Sequence, residues 1–123
     1  MNYLITYEIE KAIINQLGYK TIIDNSKTSD YISFDVDGFS HSVRISDHDA
    51  LTGRSSCSLV SVNVLEINVE EWGGKFEANL DYDCDGINDW DAEIGFDTKE
   101  EAEKHNLNAV ISEVIYRIKN IYN

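Results

Sequence analysis

The sequence predicts a single α+β domain, residues 1–123, in which an antiparallel β-sheet of four or five strands carries the N-terminal and C-terminal helices on one face. Three observations predict it. Helical periodicity is confined to the two ends of the chain, the middle alternates apolar and polar residues in short runs divided by turn formers, and no proline, repeat or low-complexity linker interrupts the sequence. A chain of 123 residues is long enough to bury a core without a disulfide or structural metal, and too short for a second domain.

In the first segment Ile5, Ile9, Ile13 and Leu17, widened by Ala12 and Ile14, form an apolar helical stripe that stops at Gly18. Thr21–Ile23 reads as a short strand and Asp24–Asp30 as a polar loop. Ile32, Phe34 and Val36 then alternate with polar residues up to Asp37-Gly38, and Phe39, His41, Val43 and Ile45 alternate after it. Asp-Gly supplies the two positive φ angles of a type I′ turn, which places Val36 opposite Phe39, Phe34 opposite His41 and Ile32 opposite Val43. His41 therefore reads as a core histidine.

Residues 47–58 form a longer connection rich in turn formers. Leu59–Val69 has strong β-propensity, and its phase slip at Val64-Leu65 signals a bulge or a strand buried on both faces. After Trp72-Gly73-Gly74, the faces Phe76/Ala78/Leu80/Tyr82 and Trp90/Ala92/Ile94/Phe96 predict a second hairpin with Tyr82 near Trp90 and Asp83–Asp89 as its tip. Asp97 or Thr98 caps the last helix, with Glu101 three residues after Thr98 completing a capping-box pattern. Ala102, Leu107, Val110, Ile111, Val114, Ile115, Ile118 and Ile121 form its buried stripe, and Arg117 and Lys119 suit its C-terminal end.

The formal net charge is −13. Residues 1–65 hold five basic and eight acidic side chains, residues 66–123 five and fifteen, so the negative field belongs to the second half. Such a field disfavours direct binding of nucleic acid or anionic membrane and attracts basic proteins and divalent cations. Acidity that serves only solubility accounts for the same charge. With 42% hydrophobic residues the chain is not of the disordered class. The N-terminus lacks a secretory pattern and no apolar run is long enough to span a bilayer, so a cytoplasmic protein with Cys57 and Cys84 as free thiols is expected, with no cofactor.

The acids crowd most densely in Asp81–Glu93, around Gly86. Gathering carboxylates costs stability unless a cation or a basic surface compensates. Asp81, Asp83, Asp85 and Asp89 resemble the opening of an EF-hand-like calcium loop, or of thrombospondin-type calcium repeats, where alternate oxygens converge on one cation. The closing acid of such a loop would fall on Ala92, whereas the acids stand at Asp91 and Glu93. A solvated hairpin tip, a calcium cage and a partner-binding surface all fit the stretch. His48, between Asp47 and Asp49 with Arg54 and Cys57 nearby, is a second candidate, as general base, metal ligand or part of a nucleophile site; no phosphate loop, paired-histidine motif or nucleophile elbow accompanies it.

In size, acidity and lack of a catalytic signature the chain resembles the small acidic proteins that phages encode against host defences, anti-CRISPR proteins in particular. The Val43-Arg44-Ile45-Ser46-Asp47-His48 run also resembles short phage proteins of unassigned role. The resemblance implies an inhibitor whose carboxylates imitate the phosphates of nucleic acid and occupy a basic channel. The expected partner is a basic nucleic-acid-binding protein such as a CRISPR effector or nuclease, met by Asp81, Asp83, Asp85, Asp89, Asp91 and Glu93, with Trp90 as apolar anchor. An immunity protein against a nuclease toxin would carry the same electrostatics.

Overall fold

The computed structural model describes residues 3–48, 58–81, 88–89 and 95–121. Alternation and the Asp37-Gly38 turn produce its most regular element. Strands β2 (Ser29–Val36) and β3 (Phe39–Ser46) pair antiparallel in the register the turn dictates, with Val36 opposite Phe39, Phe34 opposite His41 and Ile32 opposite Val43. Asp37 and Gly38 take φ of 51° and 85°, the conformation that lets a two-residue loop follow the strand twist. His41 is half-buried with its ring against Phe34. Strand β1 (Ile22–Asn25) pairs antiparallel with β2 on the far side.

The next strand departs from an all-antiparallel sheet. β4 (Val60–Asn63) runs parallel to β3, with Val43 opposite Val60 and Ile45 opposite Val62, giving a mixed sheet of order β1-β2-β3-β4. Parallel neighbours need a crossover of about a dozen residues, and residues 47–59 supply it. All four residues of β4 are buried, the two-faced burial foreshadowed by the Val-rich run.

The phase slip at Val64-Leu65 is where the chain changes sheet. A single 3₁₀ turn, Val64–Glu66, is capped by the Asn63 side chain, which accepts from Leu65 N at 3.0 Å. Beyond it, β5 (Asn68–Trp72) pairs antiparallel with β6 (Lys75–Asp81), and β6 pairs antiparallel with β7 (Asn88–Asp89) and β8 (Gly95–Phe96). The strands are thus divided between two sheets.

Helix α1 (Leu4–Leu17) ends at Gly18, whose φ of 74° closes the last turn onto Ile14 O. Its start is unusual: Tyr3 gives no side-chain cap and the first turn has no acid. Asp30 of β2 does that work from across the fold, accepting from Tyr3 N at 2.8 Å and Thr6 Oγ1 at 2.7 Å. A buried carboxylate at a helix N-terminus satisfies orphan N–H groups and complements the dipole. Helix α2 (Lys99–Lys119) is capped by Thr98, whose hydroxyl oxygen accepts from Glu101 N.

Ile9 and Ile13 of α1, with Val110, Val114, Ile115 and Ile118 of α2, join Ile32, Phe34, Val36, Val43, Ile45, Val60 and Val62 in one core. Both helices therefore cover the same face of the first sheet, as expected. The N-terminal half of α2 continues onto the second sheet, where His105 meets Phe96 and Asn106 Nδ2 donates to Asn68 O at 3.0 Å.

Candidate functional site

Of the acidic stretch, Asp81 and Asp89 fall within described strands. Asp81 ends β6 opposite Asn88, and Asp89 stands in β7 opposite Leu80. This corrects the expected pairing: Asn88 and Asp89, assigned to the tip by the face pattern, are strand residues. Phe76 pairs with Phe96 in the expected register, while the Leu80–Asp89 pair is three residues out of it. An odd offset exchanges the two faces of a strand, so the alternation that set the Phe76–Phe96 pairing does not carry through to Leu80–Asp89. Asp83, Asp85, Trp90, Asp91 and Glu93, with Tyr82 and Gly86, lie outside the described residues, so the calcium-like spacing and the Trp90 anchor have no described geometry. Among the described residues no group of three or more His, Cys, Asp or Glu side chains is arranged to hold a metal.

What the structure adds is the sheet from which the stretch departs. In β5–β6 the pairs alternate between faces. Val69–Ala78 and the Phe76–Phe96 contact turn toward α2, while Glu70 lies opposite Glu77 and Trp72 opposite Lys75 on the other side. Like charges directly opposite across a ladder are destabilising. Glu70 is further engaged by Trp72, whose Nε1 donates to its Oε2 at 3.2 Å, and the indole is 66% exposed. Residues 66–98 contain eleven acids and a single base, Lys75. That base pairs with Asp97, whose carboxyl is held below its ordinary range by the Lys75 hydrogen bond and charge, while the ammonium is raised by the same contact. The face thus joins repelling carboxylates to an exposed indole, with its one cation already occupied.

The second sequence candidate, His48, belongs to a different construction on the back of the first sheet. Ser29, Tyr31, Ser42, Arg44, Ser46, Ser61 and Asn63 share that face by register. Arg44 is 1% exposed. Its Nη1 donates to Ser61 Oγ at 2.9 Å and His48 O at 3.2 Å, and Nη2 contacts His48 Nε2 at 2.9 Å. A guanidinium only donates, so His48 Nε2 accepts and the ring proton resides on Nδ1. Nδ1 lies 2.8 Å from Ser46 Oγ and 3.0 Å from Asp47 Oδ1. The hydrogen bond from His48, aided by the Arg44 charge, holds the Asp47 carboxyl below its ordinary range.

The chemistry of this network follows from where its protons are. Ser46 Oγ donates to Thr28 O at 2.8 Å and accepts from Ser29 Oγ at 3.1 Å, so its proton is committed to a main-chain carbonyl. A nucleophile and base would require that proton to face the imidazole lone pair. Here the lone pair is occupied by Arg44. The arrangement instead fastens residues 47–48, the start of the crossover, to β3 and β4. Arg54, Cys57 and Asp49 lie outside the described residues.

The Val43–His48 run thus supplies Arg44, Ser46, Asp47 and His48 to one network. Its pattern was visible in sequence, but its partners Ser29 and Ser61 were not, because they arrive from neighbouring strands. Glu70, Glu77 and Trp72 likewise carry no joint signal in sequence, because only the β5–β6 register brings the three together.

Comparison with known proteins finds no matching family model, no matching curated protein and no matching solved structure. Among the described residues no helix is long and apolar enough to cross a membrane.

Proposed function

We propose that this protein is an acidic inhibitor of the kind phages direct against host defences, which binds a basic nucleic-acid-handling protein, such as a CRISPR effector or nuclease, in the host cytoplasm and occupies its DNA or RNA site. The observation that carries the reading is the Glu70–Glu77 cross-strand pair, Glu70 exposed and Glu77 half-buried, beside the exposed Trp72 in the sheet from which the Asp81–Glu93 stretch emerges. An acid pair set face to face weakens the isolated fold, and a basic partner relieves that repulsion on binding. The carboxylates would speed encounter through steering, and an indole buried in the partner would slow release. The committed protons of the Ser46–His48–Arg44 network favour a binding role over hydrolysis.

The test is capture from a bacterial lysate on the immobilised protein at low and raised salt, beside an unrelated protein of equal charge. Enrichment of basic nucleic-acid-binding proteins, released by salt and by added duplex DNA, is expected. Reconstitution of the captured protein should then show its nucleic-acid binding blocked. Retention that equals the control, or is unchanged in the Glu70→Gln, Glu77→Gln, Trp72→Ala triple variant, would refute the surface. Capture of a nuclease toxin would make the chain an immunity protein acting through the same electrostatics.

A further inference from the structure

A cleft of about 460 Å³ opens between the first turns of α1, the first half of α2 and the start of β5. Its volume falls in the range of small-molecule sites. Ile5, Ile67, Val69 and Leu107 make its walls largely apolar. One polar side chain in the wall does not fit a merely structural surface. Asn106 is 3% exposed, on the face of α2 that otherwise carries Ala102, Val110 and Val114. Its Nδ2 donates to Asn68 O, and because a main-chain carbonyl only accepts, that contact fixes the orientation of the amide. Oδ1 is then a buried acceptor with no partner. A buried acceptor left unpaired costs free energy, which a donor supplied from outside the chain would recover.

The mouth sets the charge of what can enter. Glu8 and Glu103 stand there against Lys99, whose Nζ is 3.8 Å from Glu103 Oε1. The surplus carboxylate repels anions and suits neutral or cationic groups. We propose that this cleft binds a small, largely apolar, neutral or cationic molecule, of the indole or aryl-amine class, that presents one N–H or O–H donor to Asn106 Oδ1. The site is separate from the acidic sheet face and does not depend on the inhibitor reading.

The test is an amide-resolved NMR titration of the full chain with four probes: indole, tryptamine, 1-methylindole and indole-3-acetate. Indole and tryptamine should give saturable shifts at Ile5, Ile67, Val69 and Leu107. 1-Methylindole keeps the shape but lacks the donor, and should bind about tenfold more weakly than indole. Tryptamine should bind more tightly than indole and indole-3-acetate least. Asn106→Leu should make indole and 1-methylindole equivalent. That change also removes the bond to Asn68, so the rim is tested independently: Glu8→Gln with Glu103→Gln, both at the mouth, should erase the advantage of tryptamine over indole. No saturable shift from any probe at millimolar concentration would overturn the proposal. So would equal affinity for indole and 1-methylindole in the unmodified protein, which would mean that the Asn106 acceptor takes water and selects no ligand, or shifts confined to other surfaces.

Discussion

In the first sheet Arg44 is withdrawn from solvent and given Ser61, His48 and its main-chain carbonyl as acceptors, whereas in the second sheet exposed Glu70 and half-buried Glu77 stand opposite each other across neighbouring strands. Both regions place charge where an isolated fold gains little from it. They differ in how the cost is met. The buried guanidinium is met from within the chain at Nη1 and Nη2, by β4 and the start of a crossover, although its Nε has no hydrogen-bond partner among the described residues, so its role is architectural. Among the described residues no ion pair answers the Glu70 and Glu77 acids: Lys75 is held by Asp97, and Glu70 accepts a hydrogen bond from the Trp72 indole. The contrast separates a region that specifies the fold from one that, under the proposed function, a basic partner would complete.

Substitutions should register this difference. The largest effect is expected from Arg44→Ala, which strands Ser61 Oγ and the His48 groups without their donor and leaves a cavity: a loss of about 3 kcal/mol or more in denaturant unfolding. Arg44→Met with Ser61→Ala, which removes both ends of one bond and keeps the volume, should be milder than Arg44→Ala. If Arg44→Ala unfolds like a surface variant, the architectural role is wrong.

Asp30→Ala removes the cap that β2 lends to α1, and should cost about 1–2 kcal/mol, with the first turn of the helix losing amide-exchange protection before the rest. Loss spread evenly over α1 would argue that Asp30 acts through β2 and not as a cap.

The second sheet should respond in the opposite direction. Glu77→Lys turns the repelling pair into an attracting one and should raise stability by about 0.5 kcal/mol, a gain that shrinks as salt rises, while weakening capture of the basic partner. A variant that is both more stable and equally retained would disconnect the Glu70–Glu77 pair from function.

The smallest effect concerns Asp97 and Lys75. Asp97 is held below its ordinary 3.8, so its contribution is present above that pH and fades as pH falls through the lower folded-state value. Lys75, raised above 10.5, contributes below that pH and loses its part as pH climbs through the higher folded-state value. Asp97→Asn should therefore flatten the acid limb of a stability–pH curve slightly and leave the neutral region nearly unchanged, since the pair is exposed and screened.

Several of these features were legible in sequence. The Asp37-Gly38 hairpin was readable to the residue, because a two-residue turn leaves one register for the alternating faces. The Gly18 stop and the Thr98 cap were readable because both are local hydrogen-bonding arrangements. The Leu59–Val69 run showed a break in alternation but not its meaning. A slip in phase marks a change of surface, and only packing reveals that the new surface is another sheet. Asn106 gives no local signal for the same kind of reason: an asparagine among Leu107, Val110 and Val114 looks like a solvent position until Asn68 approaches from β5.

What the sequence determined by itself is the α+β class, the two terminal helices, the central hairpin and the uneven negative charge, all of which follow from periodicity, turn chemistry and composition within short windows. What only the tertiary structure decided is the parallel β3–β4 pairing, the division into two sheets, the network around Arg44, the Asp30 cap and the opposition of Glu70 to Glu77. Each of these joins residues from separate strands or from a strand and a helix. Such contacts carry no local signature, because their energy exists only once burial and register have brought the partners together.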